Sequence, residues 1–156
     1  MPIDSLTAPI KGIVRDLLLD THIVIWMATD PDRIPVRLQN TIEEVKHRFV
    51  SHVSALEIQL KNLKNRAAFP FSLRHLEQAM KEYSCTELPI TYQDVNALGS
   101  MEFLHPDPFD RLLMAQAKQR SICLATMDKD ILRTFDRYQA FPLFAEDRRI
   151  PSPSTS

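Results

Sequence analysis

Glycine is nearly absent from this chain: Gly12 and Gly99 are the only two in 156 residues. A phosphate-cradling loop of the P-loop or dinucleotide-binding kind needs several glycines in close succession, so those nucleotide-binding classes are excluded. Cysteine is as scarce. Cys85 and Cys123 each lie in an apolar-leaning segment, which suits buried free thiols in a reducing compartment better than a structural bridge. The five histidines, His22, His47, His52, His75 and His105, show no zinc-type pairing; His47 and His52 are five residues apart, off one helical face. Neither thiol has a histidine arrangement that would make it a nucleophile. A bias of charge is missing too. Nineteen basic residues stand against twenty acidic ones, for a net charge of -1, unlike a protein that coats DNA. An enzyme that touches RNA briefly stays open, because cations can supply the positive charge. No apolar run approaches the ~20 residues that span a bilayer, since Asp16, Asp20 and His22 interrupt the greasiest stretch. The first fifteen residues carry Asp4, Lys11 and Arg15 but no apolar core of a secretory signal. A cytoplasmic protein without membrane contact is expected.

What is present is ordinary material for a globular protein, 44% hydrophobic and 25% charged, enough to bury a core without staples. A single domain over 1–156 is expected, its core at about 17–144, with 1–15 and 145–156 as peripheral ends. Leu17-Leu18-Leu19 reads as a buried strand stopped by Asp20, followed by a helix over 21–29. Pro31 breaks the chain, and Pro35 can open a second helix reaching His47. A strand at 48–51 precedes a third helix opened by Ser54, in which Leu56, Leu60 and Leu63 recur at helical spacing. A fourth helix covers 72–83. The strand expected at 86–90 contains Pro89, which suits a sheet edge. A helix over 92–98, a stiff corner at Pro106-Asp107-Pro108, and a helix over 109–120 follow. A strand at 122–126, a helix over 129–135 and a strand at 141–144 complete the order. Short strands alternating with helices predict an α/β fold with a parallel sheet and crossover helices.

In such open sheets ligands gather at the carboxyl ends of the strands. Asp20 ends the first strand, and Asp128 lies two residues beyond Thr126. Glu57 and Asp110 fall in the first turns of helices. Each acid has an ordinary explanation when taken alone. Ser54 and Glu57 fit a capping box, Asp107 and Pro108 fit a helix start with Asp110 in the first turn, and Lys61 could pair with Glu57. The helix faces weigh against that reading. Glu57 shares a stripe with Val53 and Leu60, and Asp110 shares one with Leu113, Met114 and Ala117. Carboxylates on core-facing stripes are costly unless something neutralises them. A divalent cation neutralises several at once, and magnesium prefers a few carboxylate oxygens. Thr21, Ser54 and Thr126 place hydroxyls beside the acids, either as supporting donors or as ordinary caps. Lys61, Lys64, Arg66 and Arg74 read more readily as a solvated face than as a basic rim to the site.

The segments Leu18-Leu19-Asp20-Thr21-His22, Val53-Ser54-Ala55-Leu56-Glu57-Ile58, Asp107-Pro108-Phe109-Asp110-Arg111-Leu112-Leu113 and Thr126-Met127-Asp128 occur in this order over roughly 17–144. The chain resembles PIN-domain proteins, and most closely the VapC-type toxins of bacterial toxin–antitoxin pairs. The resemblance implies a three-layer PIN-like fold with a short, mostly parallel central sheet between helices. It implies endoribonuclease activity with Mg2+ or Mn2+, an RNA substrate, a small antitoxin partner and a homodimer. Carried over by position, it makes Asp20, Glu57 and Asp110 the principal acids and Asp128 the more variable fourth. Two positions depart from the pattern. Arg15-Asp16 sets charges where the first strand is usually apolar, so that strand is expected to begin late, and Met127 stands where a basic residue is common.

The chemistry that follows is phosphodiester hydrolysis, with Asp20 and Asp110 as direct metal ligands, Glu57 as ligand or water orienter, and Asp128 acting through water. Two other classes are weighed against it. A non-catalytic binding module with a PIN fold would have no use for intact acids. A magnesium-dependent phosphoryl-transfer or signalling domain also gathers aspartates at strand ends, but has no place for Glu57 and Asp110 on helix starts.

Overall fold

The computed structural model describes residues 15–100, 107–138 and 143–144; side chains are described for these except 134–138 and 143–144. Leu17, Leu18 and Leu19 are all fully buried, which a strand achieves only when both faces of its sheet are covered. They form β1 (Asp16–Leu19). With β2 (His47–Ser51), β3 (Cys85–Leu88), β4 (Cys123–Ala125) and β5 (Leu143–Phe144) it makes a five-stranded sheet in the order β3-β2-β1-β4-β5. Every pairing is parallel, with Leu18 opposite Phe49 on one side and Leu124 on the other. Side chains alternate across a strand, so Leu17 and Leu19 enter one layer of the core and Leu18 the other.

The first layer is covered by α1 (Thr21–Thr29), α2 (Val36–Glu44) and α4 (Leu73–Glu82), through Ile23, Val24, Leu38, Ile42, Leu76 and Ala79. The second is covered by α6 (Pro108–Arg120) and α7 (Lys129–Tyr138), through Leu113, Met114, Ala117, Ile131 and Leu132. The helix α3 (His52–Lys64) joins the two, giving Ile58 to the first and Val53 to the second. The short α5 (Tyr92–Ala97) sits against α6. Burying one such aliphatic side chain stabilises the fold by about 1.5–3 kcal/mol. The three-layer α/β expectation stands, with all of the strand pairings parallel.

Several boundaries differ from the sequence reading. The helix α2 stops at Glu44 rather than His47, because residues 47–50 pair with β1 as part of a strand. Ser54 does not open α3. The helix begins at His52, and Ser51 is its cap, accepting a hydrogen bond from the Val53 N–H. The leucine stripe faces outward: Leu56, Leu60 and Leu63 are exposed, while Val53, Ser54, Glu57, Ile58 and Asn62 form the buried face. The strand β1 takes in Asp16 after all, whose carboxylate meets His47 Nδ1 at 2.6 Å across the sheet. The edge expected from Pro89 is real, for β3 is the last strand on its side and ends just before that proline. Residues 1–14, 101–106, 139–142 and 145–156 lie outside the described residues, and with them nearly all of the peripheral ends, Pro106 of the corner and the first half of the strand expected at 141–144.

Candidate active site

The strand order itself locates the site. The chain builds β1, β2 and β3 outward in one direction, then returns to add β4 and β5 on the other side of β1. Between β1 and β4 the helices that follow leave for opposite faces of the sheet, which opens a crevice at the carboxyl ends of these strands. Asp20 stands at that point, its backbone N–H still donating to the Ala125 carbonyl at 3.0 Å.

Asp20 is almost wholly buried. Its Oδ1 accepts the Thr21 N–H at 2.7 Å and caps α1, while Oδ2 accepts the Thr126 hydroxyl at 2.6 Å. Thr126, just past β4, in turn accepts the Asp128 N–H at 2.9 Å. Asp128 Oδ1 accepts the backbone N–H groups of Asp130 and Ile131, capping α7. Thr21 and Ser54 join α1 to α3 through a buried 2.8 Å hydroxyl pair. All three hydroxyls singled out in the sequence therefore hold elements at the crevice: Thr126 contacts an acid directly, and Thr21 and Ser54 contact each other.

Glu57 is buried on α3, with Oε2 3.0 Å from Lys61 Nζ. Its Oε1 has no partner among the described residues, a condition it shares with Arg111 Nε. Asp107 caps α6, accepting from the N–H groups of Phe109 and Asp110 with Pro108 in the first helical position. That leaves Asp110 in the first turn, buried on the face of Leu113, Met114 and Ala117.

The acids sense one another. Burial pushes the Asp110 carboxyl up to about 8, and the negative charges of Asp20, Asp107, Asp128 and Glu57 add to the rise. Burial likewise raises Asp20, partly countered by His22 and by its hydrogen bonds. Of the four sequence-predicted acids, Asp20, Asp128 and Glu57 thus lie near enough to Asp110 for their charges to act on it. They do not form a finished cage: among the described residues no three His, Cys, Asp or Glu side chains stand close enough to close on one ion. Carboxylates that repel one another stay apart, and a cation that keeps most of its water needs only one or two direct ligands. The orphaned Glu57 oxygen and the mutual repulsion at Asp110 fit a divalent cation.

Two features were missed in the sequence. His22 Nε2 accepts the Met127 N–H at 3.1 Å, and Nδ1 of the same ring faces Asp20 Oδ2 at 3.4 Å. His22 therefore ties the loop after β4 to Asp20. The second is a buried polar chain behind α3. Arg120 donates twice to Asp94, at 2.7 and 3.1 Å, and Gln116 donates to Asp94 at 3.1 Å. Gln116 also accepts the Ser51 hydroxyl at 2.5 Å, and so holds the cap of the helix that carries Glu57. The Thr91-x-x-Asp94 box was a legible signal for a helix start, but not for this pairing.

Other calls resolve simply. Cys85 and Cys123 are free, on β3 and β4 with two strands between them; Cys123 is buried as expected and Cys85 only half-buried. Lys61 does pair with Glu57; Lys64, Arg66 and Arg74 are exposed. Among the described residues no helix is long and apolar enough to cross a membrane.

By sequence, no curated protein matches the chain significantly. By structure, it is similar to VapBC2 from Rickettsia felis bound to a DNA fragment from their promoter, with TM-score 0.63 and 14% identity over 83% of this chain and 97% of that one. It is similar to DNA-bound VapBC from Salmonella typhimurium, with TM-score 0.58 and 18% identity over 84% and 98%. A third likeness is to a domain of a functionally unknown Methanocaldococcus jannaschii protein, with TM-score 0.55 and 12% identity over 85% and 91%. The family model of the PIN domain matches residues 17–138, from the first residue of the β1 leucine run to the end of α7. The chain belongs to the PIN-domain family.

Proposed function

We propose that this protein is a divalent-cation-dependent endoribonuclease and the toxin of a toxin–antitoxin pair, acting in the cytoplasm as one domain. The observation that carries the reading is the set of buried carboxylates at the β1–β4 crevice, with Glu57 Oε1 unpartnered and Asp110 raised by its neighbours. PIN domains are in general nucleases, which supports hydrolysis of a phosphodiester.

Asp20 and Asp110 would hold the cation directly, with Glu57 and Asp128 completing its surroundings. When bound, Mg2+ or Mn2+ supplies Lewis acidity toward the phosphodiester and toward its attacking water. The chain's own part is positioning. Thr126 and the Thr21 N–H fix both oxygens of Asp20, so that its carboxylate cannot swing away. His22 adds a third restraint and anchors the loop that carries Asp128. Glu57 is presented by a helix start held through Ser51 and Gln116, and its free oxygen is available to a ligand or to a water. Burial keeps bulk water from competing for the carboxylates.

The solved VapBC structures that resemble this fold are complexes, which supports an antitoxin partner here as well. An acidic crevice is blocked most simply by an Arg or Lys side chain of such a partner. A homodimer is part of the same reading. The test is to incubate purified, partner-free protein with total RNA in Mg2+, in Mn2+ and in EDTA, and to map the ends. Cleavage in either metal and none in EDTA is expected; intact RNA in all three would refute the nuclease reading.

A further inference from the structure

Gln116 lies on α6 six residues beyond Asp110, and Ser51 lies six residues before Glu57. Both are almost wholly buried, and they meet at 2.5 Å, the serine hydroxyl donating to Gln116 Oε1. At a rise of about 1.5 Å per residue, each acid therefore stands about 9 Å along its helix from one shared contact. The contact is held from both sides. Gln116 Nε2 donates to the Pro89 carbonyl and to Asp94 Oδ2, each at 3.1 Å, and Asp94 is itself gripped by Arg120. The Ser51 oxygen also accepts the Val53 N–H at 2.9 Å. Ser51 pairs with Leu88 in the sheet, so Gln116 also ties together the carboxyl ends of β2 and β3.

Capping alone does not account for this arrangement. A serine caps a helix through the backbone N–H it accepts, and Ser51 does that for α3 without Gln116. What the glutamine adds is α6. Apolar packing also joins the two helices, with Val53 in one cluster with Leu113, Met114 and Ala117. Such burial is non-directional, and lets one helix slide over the other by a fraction of an ångström. A hydrogen bond whose two partners are both fixed does not allow that slide. The setting matters because Glu57 is close enough for its charge to act on Asp110, and groups that share a ligand have to be placed within about 0.5 Å.

We propose that Gln116 is a positioning residue of the candidate active site: through Ser51 it sets the separation of the helices that carry Asp110 and Glu57, and with it the affinity for a divalent cation. This rests on the metal-dependent reading above, and adds to it a residue that acts through α3 and α6 rather than on the cation.

The experiment measures the Kd of Mn2+ for the intact protein from the EPR signal of free Mn2+, with a melting curve for each variant. The variants are Gln116→Met, Ser51→Ala, the two combined, and Asp94→Asn. Gln116→Met keeps the length of the side chain and removes its hydrogen bonds. It should raise the Kd about three- to tenfold, less than the roughly 10–100-fold cost of losing a group bonded directly to a ligand. Ser51→Ala should do about the same, and the double variant should go no further than the larger single change, because both break one contact. Asp94→Asn breaks the ion pair with Arg120 but leaves an oxygen for Gln116 Nε2. It should melt lower and keep the parent's Mn2+ affinity, which a purely structural role for Gln116 would predict of every variant. The proposal is overturned if either folded single variant, Gln116→Met or Ser51→Ala, binds Mn2+ as the parent does. It is overturned too if the two effects multiply, or if Asp94→Asn loses as much affinity. Should Gln116→Met fail to fold, Ser51→Ala, which deletes one oxygen, decides alone. Cleavage of total RNA in Mn2+ is read separately. A parent that binds Mn2+ but never cuts loses the nuclease reading and leaves Gln116 to the Kd values; a parent that takes up no Mn2+ loses the metal site and the positioning role together.

Discussion

Replacing Asp110 with Asn should make the metal-free protein more stable while removing a ligand. Asp110 is buried in the first turn of α6, and burial followed by four nearby carboxylates takes its pKa from 3.8 to about 8. In the unfolded chain the same carboxyl titrates near its ordinary value. Between about pH 4 and pH 8 the folded protein therefore holds a proton that the unfolded chain has released, and stability falls as pH rises through that window. A shift of this size sets a ceiling of about 5–6 kcal/mol on the cost at pH 8. Side-chain movement and water entering the crevice reduce the realised cost to about 1–3 kcal/mol. Asparagine has nearly the same shape and no charge, so Asp110→Asn should recover about that much, a rise of about 3–10 °C in Tm. The assay is calorimetric or urea melting in EDTA at pH 5, 7 and 8, with the gain growing at each step. Millimolar Mg2+ or Mn2+ should raise the Tm of the parent, by binding the folded state, and leave the variant nearly unmoved. A variant less stable than the parent at pH 8 in EDTA, or a gain independent of pH, would refute the reasoning.

The remaining expectations concern the supports of the site. Asp107→Ala should cost about 0.5–2 kcal/mol of stability as a lost helix cap, whereas Asp107→Asn should cost little; urea melts distinguish the two. Asp94→Ala removes a buried partner of Arg120, a change that costs about 3–5 kcal/mol when the orphaned charge stays buried. Arg120 keeps 26% exposure and can regain water, so about 2–3 kcal/mol is expected at pH 7. Although burial alone would raise it, hydrogen bonds from Arg120, the Thr91 N–H and Gln116 hold Asp94 below the usual carboxylate range. Its contribution is therefore present above the ordinary carboxylate pKa and lost as pH falls through the folded value. The gap between parent and Asp94→Ala should shrink in melts taken near pH 3; an undiminished gap would contradict the ion-pair assignment.

The parts of the fold that could be read in the sequence are those where local and tertiary signals agree. Leu17-Leu18-Leu19 followed by Asp20 is both a two-faced buried strand and a helix cap, and the bounds of α1 follow from it. Asp107-Pro108 fixes the start of α6 in the same way, and so fixes which of two acids turns inward. The start of α3 was misread because Ser54 and Glu57 satisfy the spacing of a capping box, while Ser51, at the end of a strand, performs the capping. Leucines at helical spacing do not say which face is buried; the sheet and α6 decide that, and they select Val53, Glu57 and Ile58. His22 was passed over because its partner is the Met127 N–H, 105 residues away. The Asp94–Arg120 pair likewise joins two helices that only the fold brings together.

The most direct test compares neighbours three residues apart on α6. RNA-cleavage rates in Mg2+ and Mn2+ are to be measured for the parent, Asp107→Asn and Asp110→Asn, each verified as folded by its melting curve. The carboxylate-crevice account predicts that Asp107→Asn keeps most of the parent's rate, since asparagine still caps the helix, and that Asp110→Asn loses nearly all of it. If Asp110→Asn cuts as the parent does, or if Asp107→Asn is the inactive one, the acids of this crevice are not the nuclease site.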